Sequence, residues 1–266
     1  MKERLSQPEF WEGVYGQRRK SDFLPNPKKY RLHYEMDHVF KALFRPDRSV
    51  RLLELGAGGS VWLPYFAKEF GFQVYGIDYS KEGCEQAKKN LELGGVKGKI
   101  LCEDFFDMGD KWKDFFDVII SFGVIEHFDK PVDVIRLLKG LLKSGHPGLI
   151  VTMVPNTAGL LFQLQKLVDE EVFNIHKIFS LKDLSAYHRE AGMEVVSEQY
   201  LQFMDFGILN YQRVLKEKRF KLVARGITGI NLPILYLQKV LDFYPQSKRW
   251  SSSMLVVARK GKEIQA

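Results

Sequence analysis

Short apolar runs take turns with helical stripes along this chain. Leu52, Leu53 and Leu55 make the first run, in a strand expected from Val50 to Leu55, and it reaches a turn of small residues, Gly56-Ala57-Gly58-Gly59-Ser60. Leu63, Phe66, Ala67 and Phe70 then recur at i, i+3, i+4 and i+7, the spacing of one helix face. Val74 to Ile77 forms a second run that ends on Asp78. Ser80, a good N-cap, opens a helix to about Leu93 that stops at Gly94-Gly95. "KILCEDFF", from Lys99, predicts a third strand, and Asp117 to Phe122 a fourth. The next helix starts near Asp129 and Pro131, carries Val134, Leu137, Leu138, Leu141 and Leu142, and ends at Gly145. "GLIVTMVPN" is the fifth strand. A capping-box-like pair, Ser180 and Asp183, precedes a helix with Leu184, Tyr187 and Ala191 on its stripe and Gly192 at its end. Strands six and seven are expected at about Glu194 to Tyr200 and Met254 to Gly261.

Strands alternating with helices from residue 50 to 154 predict a doubly wound α/β domain on a mostly parallel sheet. One domain over 1–266 is expected, with 50–200 as its core. Residues 1–49 read as two helices. Phe10, Trp11, Val14 and Tyr15 cluster in the first, and Met36, Val39, Phe40 and Leu43 lie on the second, about Tyr30 to Leu43. Between them runs a basic, Pro-containing stretch: Arg18, Arg19, Lys20, Pro25, Pro27, Lys28 and Lys29. The segment 201–253 is longer than a hairpin needs. It holds Arg213, Lys216, Lys218, Arg219, Lys221 and Arg225, then an apolar helix from about Pro233 to Tyr244.

The run Arg51 to Asp78 is strand, Gly-rich turn, helix, strand and acid, a βαβ unit suited to a nucleotide-like ligand. Glycines allow positive φ and close approach of a ligand, and a carboxylate after the second strand can accept from a ribose diol. The dinucleotide pattern G-x-G-x-x-G/A fails, because Val61 occupies its last position. Glu54, two residues before Gly56, instead makes the stretch resemble the first motif of class I S-adenosylmethionine-dependent methyltransferases, apolar-apolar-[D/E]-x-G-x-G-x-G. Ser60 stands where that family usually has its third glycine. Val124-Ile125-Glu126-His127 resembles the "V-L-E-H" segment of the small-molecule and quinone-precursor branch, as does the His176-x-x-Phe179-Ser180 arrangement before strand six.

The resemblance implies a Rossmann-like seven-stranded sheet whose last strand runs antiparallel between the fifth and sixth. It implies an N-terminal helical lid and a helical insert between strands six and seven. It implies S-adenosylmethionine as cofactor, held by Glu54, Gly56, Ala57, Gly58, Asp78, Tyr79, Asp104, Phe105, Phe122 and Gly123, with Arg31 on the lid side and Trp11, Tyr15 and Tyr30 near the ligand. Methyl transfer is an in-line displacement, and a neutral hydroxyl acceptor must lose a proton. His127 and His176 are the candidate bases, since an imidazole near pKa 6.5 suits that task. A structural histidine orienting the loop is the plainer reading of His127, and His188 reads as a core-edge histidine. No metal-ligand spacing and no nucleophilic Ser/His/Asp set is seen. The Asn/Asp-Pro-Pro-Tyr/Phe motif of base or glutamine N-methylation and the Pro-Cys of cytosine-C5 enzymes are absent.

Composition alters this little. Apolar residues at 45% and charged residues at 27% are ordinary for a globular protein. Cys84 and Cys102 read as buried reduced thiols, and no signal peptide is evident, so a cytoplasmic setting is expected. The net charge of +7 permits anionic partners without requiring them. The expected function is methyl transfer to a small organic acceptor, at oxygen before nitrogen, sulfur or carbon. A lipid or isoprenoid acceptor at an anionic membrane, an RNA-modifying or RNA-binding protein, and a non-catalytic cofactor binder are the alternatives, with nucleic acid the disfavoured partner. Oligomeric state is left open.

Overall fold

The structure, a computed structural model, describes residues 4–16, 22–209, 218–243 and 245–261. Seven strands form one sheet: β1 Arg51–Leu55, β2 Gln73–Asp78, β3 Gly98–Cys102, β4 Val118–Phe122, β5 Leu149–Pro155, β6 Met193–Phe203 and β7 Ser251–Lys260. Their order is β3-β2-β1-β4-β5-β7-β6. The first five pair in parallel, while β7 is antiparallel to both β5 and β6. The expected placement of the last strand is therefore met.

The central strands look uniformly apolar because both of their faces are covered. Leu53, Ile119, Ile150, Val256 and Ala258 join one core cluster, and Leu52, Val118, Ile120, Val151 and Val257 the other. Helices α5 (Pro131–Leu141) and α9 (Leu181–Glu190) supply Ile135, Leu138 and Leu184 to the first. Helices α2 (Arg31–Leu43) and α3 (Trp62–Glu69) supply Met36, Phe40, Trp62, Leu63 and Phe66 to the second. Helix α4 (Lys81–Leu93) buries Cys84, Ala87 and Leu91, and Ser80 caps it by accepting from the amide of Gly83. Helix α1 (Pro8–Gly16) lies against α4. The chain between β5 and α9 folds into three short helices, α6 (Leu160–Gln163), α7 (Gln165–Val168) and α8 (Glu170–Asn174).

Four boundaries differ from expectation. Helix α5 ends at Leu141 rather than Gly145, because Leu142 turns extended and is fully buried. Pro233 does not open a helix but lies inside one, α10, Lys218–Leu241. The carbonyl that loses its bond to the proline belongs to Gly229, an exposed residue, so water can satisfy it. Strands β6 and β7 are each longer than read, since they pair with each other along their length. Cys84 is buried but Cys102 is exposed, against the reading of two buried thiols, and both are free. Among the described residues no helix is long and apolar enough to cross a membrane. Arg18, Arg19, Lys20, Arg213 and Lys216 lie outside the described residues, as do the side chains of Lys218, Arg219, Lys221 and Arg225.

Candidate active site

A cavity of about 1080 Å³ opens at the carboxyl ends of β1, β2 and β4, where ligands sit in open α/β sheets. Its wall is built first by the glycine turn. Gly56 and Gly59 have φ of 73° and 61°, a region that disfavours any Cβ. A Cβ on Gly56 would lie 2.5 Å from Val124 Cγ2, and one on Gly58 would lie 2.3 Å from the ring of Tyr15. The turn is thus pressed between the β4 loop and helix α1, and only glycine fits.

Two acids flank it. Asp78 is largely buried and accepts from the amides of Gly58 and Ser80, each at 2.8 Å. Burial holds its carboxyl above the usual range, opposed by those amides. Glu54 is more deeply enclosed, and burial pushes it up to about 8. Among the described residues its close donor is the hydroxyl of Ser60, which itself accepts from the amides of Trp62 and Leu63 at 3.1 Å. Ser60 thereby ties the acid of β1 to the start of α3, a task a third glycine could not perform.

The N-terminal segments close over this turn. Glu12 of α1 accepts from the amides of Lys81 and Glu82 and from Ser80 Oγ. A carboxylate on the free amides of α4 is favoured there, and the Lys81 amide holds its pKa low. Arg4 donates to Asp104 at 2.5 Å and lies 5.0 to 5.9 Å from the ring centroids of Tyr79, Phe105, Phe106 and Phe128. Arg31 donates to Glu35 at 3.0 Å and to the carbonyl of Phe203, and both charges of this pair are buried.

Opposite the glycine turn stand Glu126, His127 and His176. The Nδ1 of His127 pairs with the carbonyl of Ile175 at 2.8 Å, and that of His176 with Val172 at 2.6 Å. A carbonyl only accepts, so each Nδ1 carries the proton and each Nε2 keeps its lone pair. The two rings are 4.4 Å apart, and Trp11 meets His127 edge-on at 5.1 Å. Burial lowers His127 to about 3 and His176 to about 4. Glu126 is completely buried, and no other described residue donates to its oxygens. Burial raises it to about 8, so it is protonated at neutral pH. One donor atom from each of the three lies within 4.8 Å of the others, a metal-type set that no ligand spacing along the chain announces.

Eleven of the thirteen expected site residues face this cavity: Arg31, Glu54, Gly56, Gly58, Asp78, Tyr79, Phe105, Phe122, Gly123, His127 and His176. Ala57 and Asp104 are not in its wall. The Ala57 side chain points into the core beside Gly76, and Asp104 is engaged by Arg4 and the amide of Phe106. His188 is a core residue bonded to Leu184 and Thr152, as expected. Glu126 was read only as part of the loop motif, although an acid within the otherwise apolar turn after β4 is a visible signal. Glu12 and Arg4 left no such signal, since their partners are remote in sequence.

A model of a methyltransferase domain matches residues 29–198. Ubiquinone biosynthesis O-methyltransferases are similar at low identity. The Neisseria meningitidis serogroup C protein is 23% identical over 163 residues, covering 59% of this chain and 68% of that protein. The Vibrio vulnificus protein is 28% identical over 140 residues, covering 50% and 59%. A Pseudomonas putida protein named "Probable fatty acid methyltransferase" is 24% identical over 85% of this chain and 58% of its own length. Most of these alignments thus span less than two thirds of the relative. A SAM-dependent methyltransferase structure from Aquifex aeolicus shares the fold, with TM-score 0.55, 14% identity and coverage of 96% of this chain and 100% of that one. The cyclase SpnF does so with TM-score 0.57, 15% identity and coverage of 95% and 91%.

Proposed function

Starting from the fact that this chain belongs to the methyltransferase-domain family matched over 29–198, we propose that it transfers a methyl group from S-adenosylmethionine to the oxygen of a small organic acceptor. The carrying observation is the cavity itself, with a turn that has no room for a Cβ at Gly56 or Gly58 and buried acids at the ends of β1 and β2. S-adenosylmethionine supplies an electrophilic methyl group on a sulfonium. Asp78 is placed to accept from a ribose diol, since each carboxylate oxygen has a second acceptor position beside its backbone amide. Glu54 and Arg31 bound the cavity where an amino-acid tail would lie. Tyr79 and Phe105 offer apolar faces for a base.

On the acceptor side the proton must leave the hydroxyl. His127 is a poor proton sink at a pKa of about 3, so the expectation of a simple imidazole base near 6.5 is replaced. The Nε2 lone pairs of His127 and His176 would hold and orient the hydroxyl. Glu126 is the most basic group of the three, and a bound cation would draw it toward its ionised form. A lipid-like acceptor is the second reading. It is favoured by Leu232, which lines the cavity and is also exposed, and by the fatty acid relative spanning most of the chain.

Calorimetric titration with S-adenosylhomocysteine tests the first reading. Micromolar binding, weakened about a hundredfold by Asp78→Ala through loss of a charged acceptor, is expected. Absence of binding to the intact protein refutes it.

A further inference from the structure

Helix α10 turns an apolar face outward. Leu232, Tyr236, Leu237, Val240 and Leu241 are 54% to 67% exposed, and Phe243 just beyond is 62% exposed. These positions follow the i, i+4, i+8 and i+5, i+9 rows of one side of a helix, while Gln238 on the other side is buried. A contiguous row of this kind marks a surface with a partner.

The charges beside it say which partner. Lys239 donates to the carbonyls of Pro27 and Lys28, which brings the exposed Lys28 and Lys29 against the helix. Lys248 and Arg249 are exposed just past Phe243. The nearby acids are Asp242 at the helix end, Asp22 at the cavity rim and Asp205, which accepts from Asn231 one residue before Leu232. The chain as a whole carries +7. Apolar side chains rimmed by lysine and arginine suit an anionic lipid surface, and among the described residues no helix is long and apolar enough to span one.

The face is continuous with the cavity. Leu232 belongs to both the exposed row and the cavity wall, and Lys29 and Tyr30 line the same wall from the facing segment. We propose that the α10 face and the 28–29 and 248–249 basic groups dock this protein on an anionic bilayer, with the cavity mouth turned to the lipid. An amphiphilic acceptor then passes from membrane to cavity beside Leu232 without crossing water. The route to the cavity rests on the methyl-transfer reading, whereas the docking does not.

Flotation of the full chain with vesicles decides it. Vesicles of phosphatidylcholine with about a third phosphatidylglycerol should bind at least tenfold more protein than pure phosphatidylcholine, and raised salt should release it. Leu237→Gln with Leu241→Gln, both outside the cavity wall, should cut that binding about tenfold by removing buried apolar area. Lys28→Gln with Lys248→Gln should cut it at low salt only. S-adenosylhomocysteine titration of each variant should match the parent, which separates lost docking from misfolding and from failure of the cofactor reading. No partition into anionic vesicles, or partition indifferent to Leu237→Gln/Leu241→Gln, overturns the proposal. So does a dimer in solution that the same pair of changes dissociates, with no lipid binding, for then the face belongs to a second copy.

Discussion

Gly58→Ala asks how much of the lid depends on one missing methyl group. A Cβ there would lie 2.3 Å from Tyr15 Cζ and 2.4 Å from its hydroxyl oxygen. Contact carbons prefer about 3.5 Å, so the ring must withdraw by about 1 Å. It has little room, because it is 8% exposed and already packs against Gly83, whose own Cβ would meet it at 3.0 Å. Overpacking of this kind costs about 1–3 kcal/mol. The ceiling is complete ejection of the tyrosine, about 5 kcal/mol for ~200 Å² at 25 cal/mol per Å². The expected result is a protein with an intact sheet, faster proteolysis within α1, and S-adenosylhomocysteine affinity reduced about 10- to 100-fold. A double-mutant cycle isolates the cause. In a Tyr15→Ala background the Gly58→Ala change should cost less than about 0.5 kcal/mol. Equal penalties in both backgrounds would show that the ring does not set the constraint.

Three further outcomes are expected. Glu126 has its folded pKa raised from 4.5 to about 8, so it ionises late; Glu126→Gln should lower kcat about 10- to 100-fold and erase a limb of the pH–rate profile near pH 8. An unchanged profile would remove Glu126 from the proton path. The buried histidines act oppositely on stability: His127, His176 and His188 have folded pKa values lowered to about 3, 4 and 4. The stability they hold is complete above the unfolded value near 6.5 and falls as pH drops toward those values, by up to roughly 5 kcal/mol for His127 and roughly 3 kcal/mol for each of the other two. Tm should therefore decline steadily from pH 6.5 to 4, less steeply in His188→Gln; a flat Tm over that range contradicts it. Arg31→Ala strands Glu35, which is buried and bonded to the amide of Gln202, and should destabilise by about 3–5 kcal/mol. Chemical denaturation checks this, and Arg31→Ala with Glu35→Gln should recover much of the loss.

The sheet was legible because its signal is local. Each buried strand needs a mostly apolar run, and the runs at 52–55, 118–121 and 149–154, interrupted only by Glu54, Ser121 and Thr152, stand out among charged neighbours. The glycine turn and Asp78 were readable for the same reason, since one βαβ unit contains them. Legibility failed where the deciding contact is long-range. Arg4 is a hundred residues from Asp104, and nothing near either one announces the pairing. Burial was equally hidden: the pKa of His127 is set by Trp11, His176 and the α8 segment, which the chain brings together only on folding. Pro233 misled in a third way, because a proline is also tolerated where the freed carbonyl meets water.

Strand β7 slots between two strands that are both made before it. While the chain is emerging from the ribosome, β5 and β6 must wait with facing edges unpaired, and neither can satisfy the other in parallel without losing the register that β7 imposes. Nascent-chain arrest before residue 251 should therefore trap a species with β1 to β5 paired and β6 still free to stick to other chains.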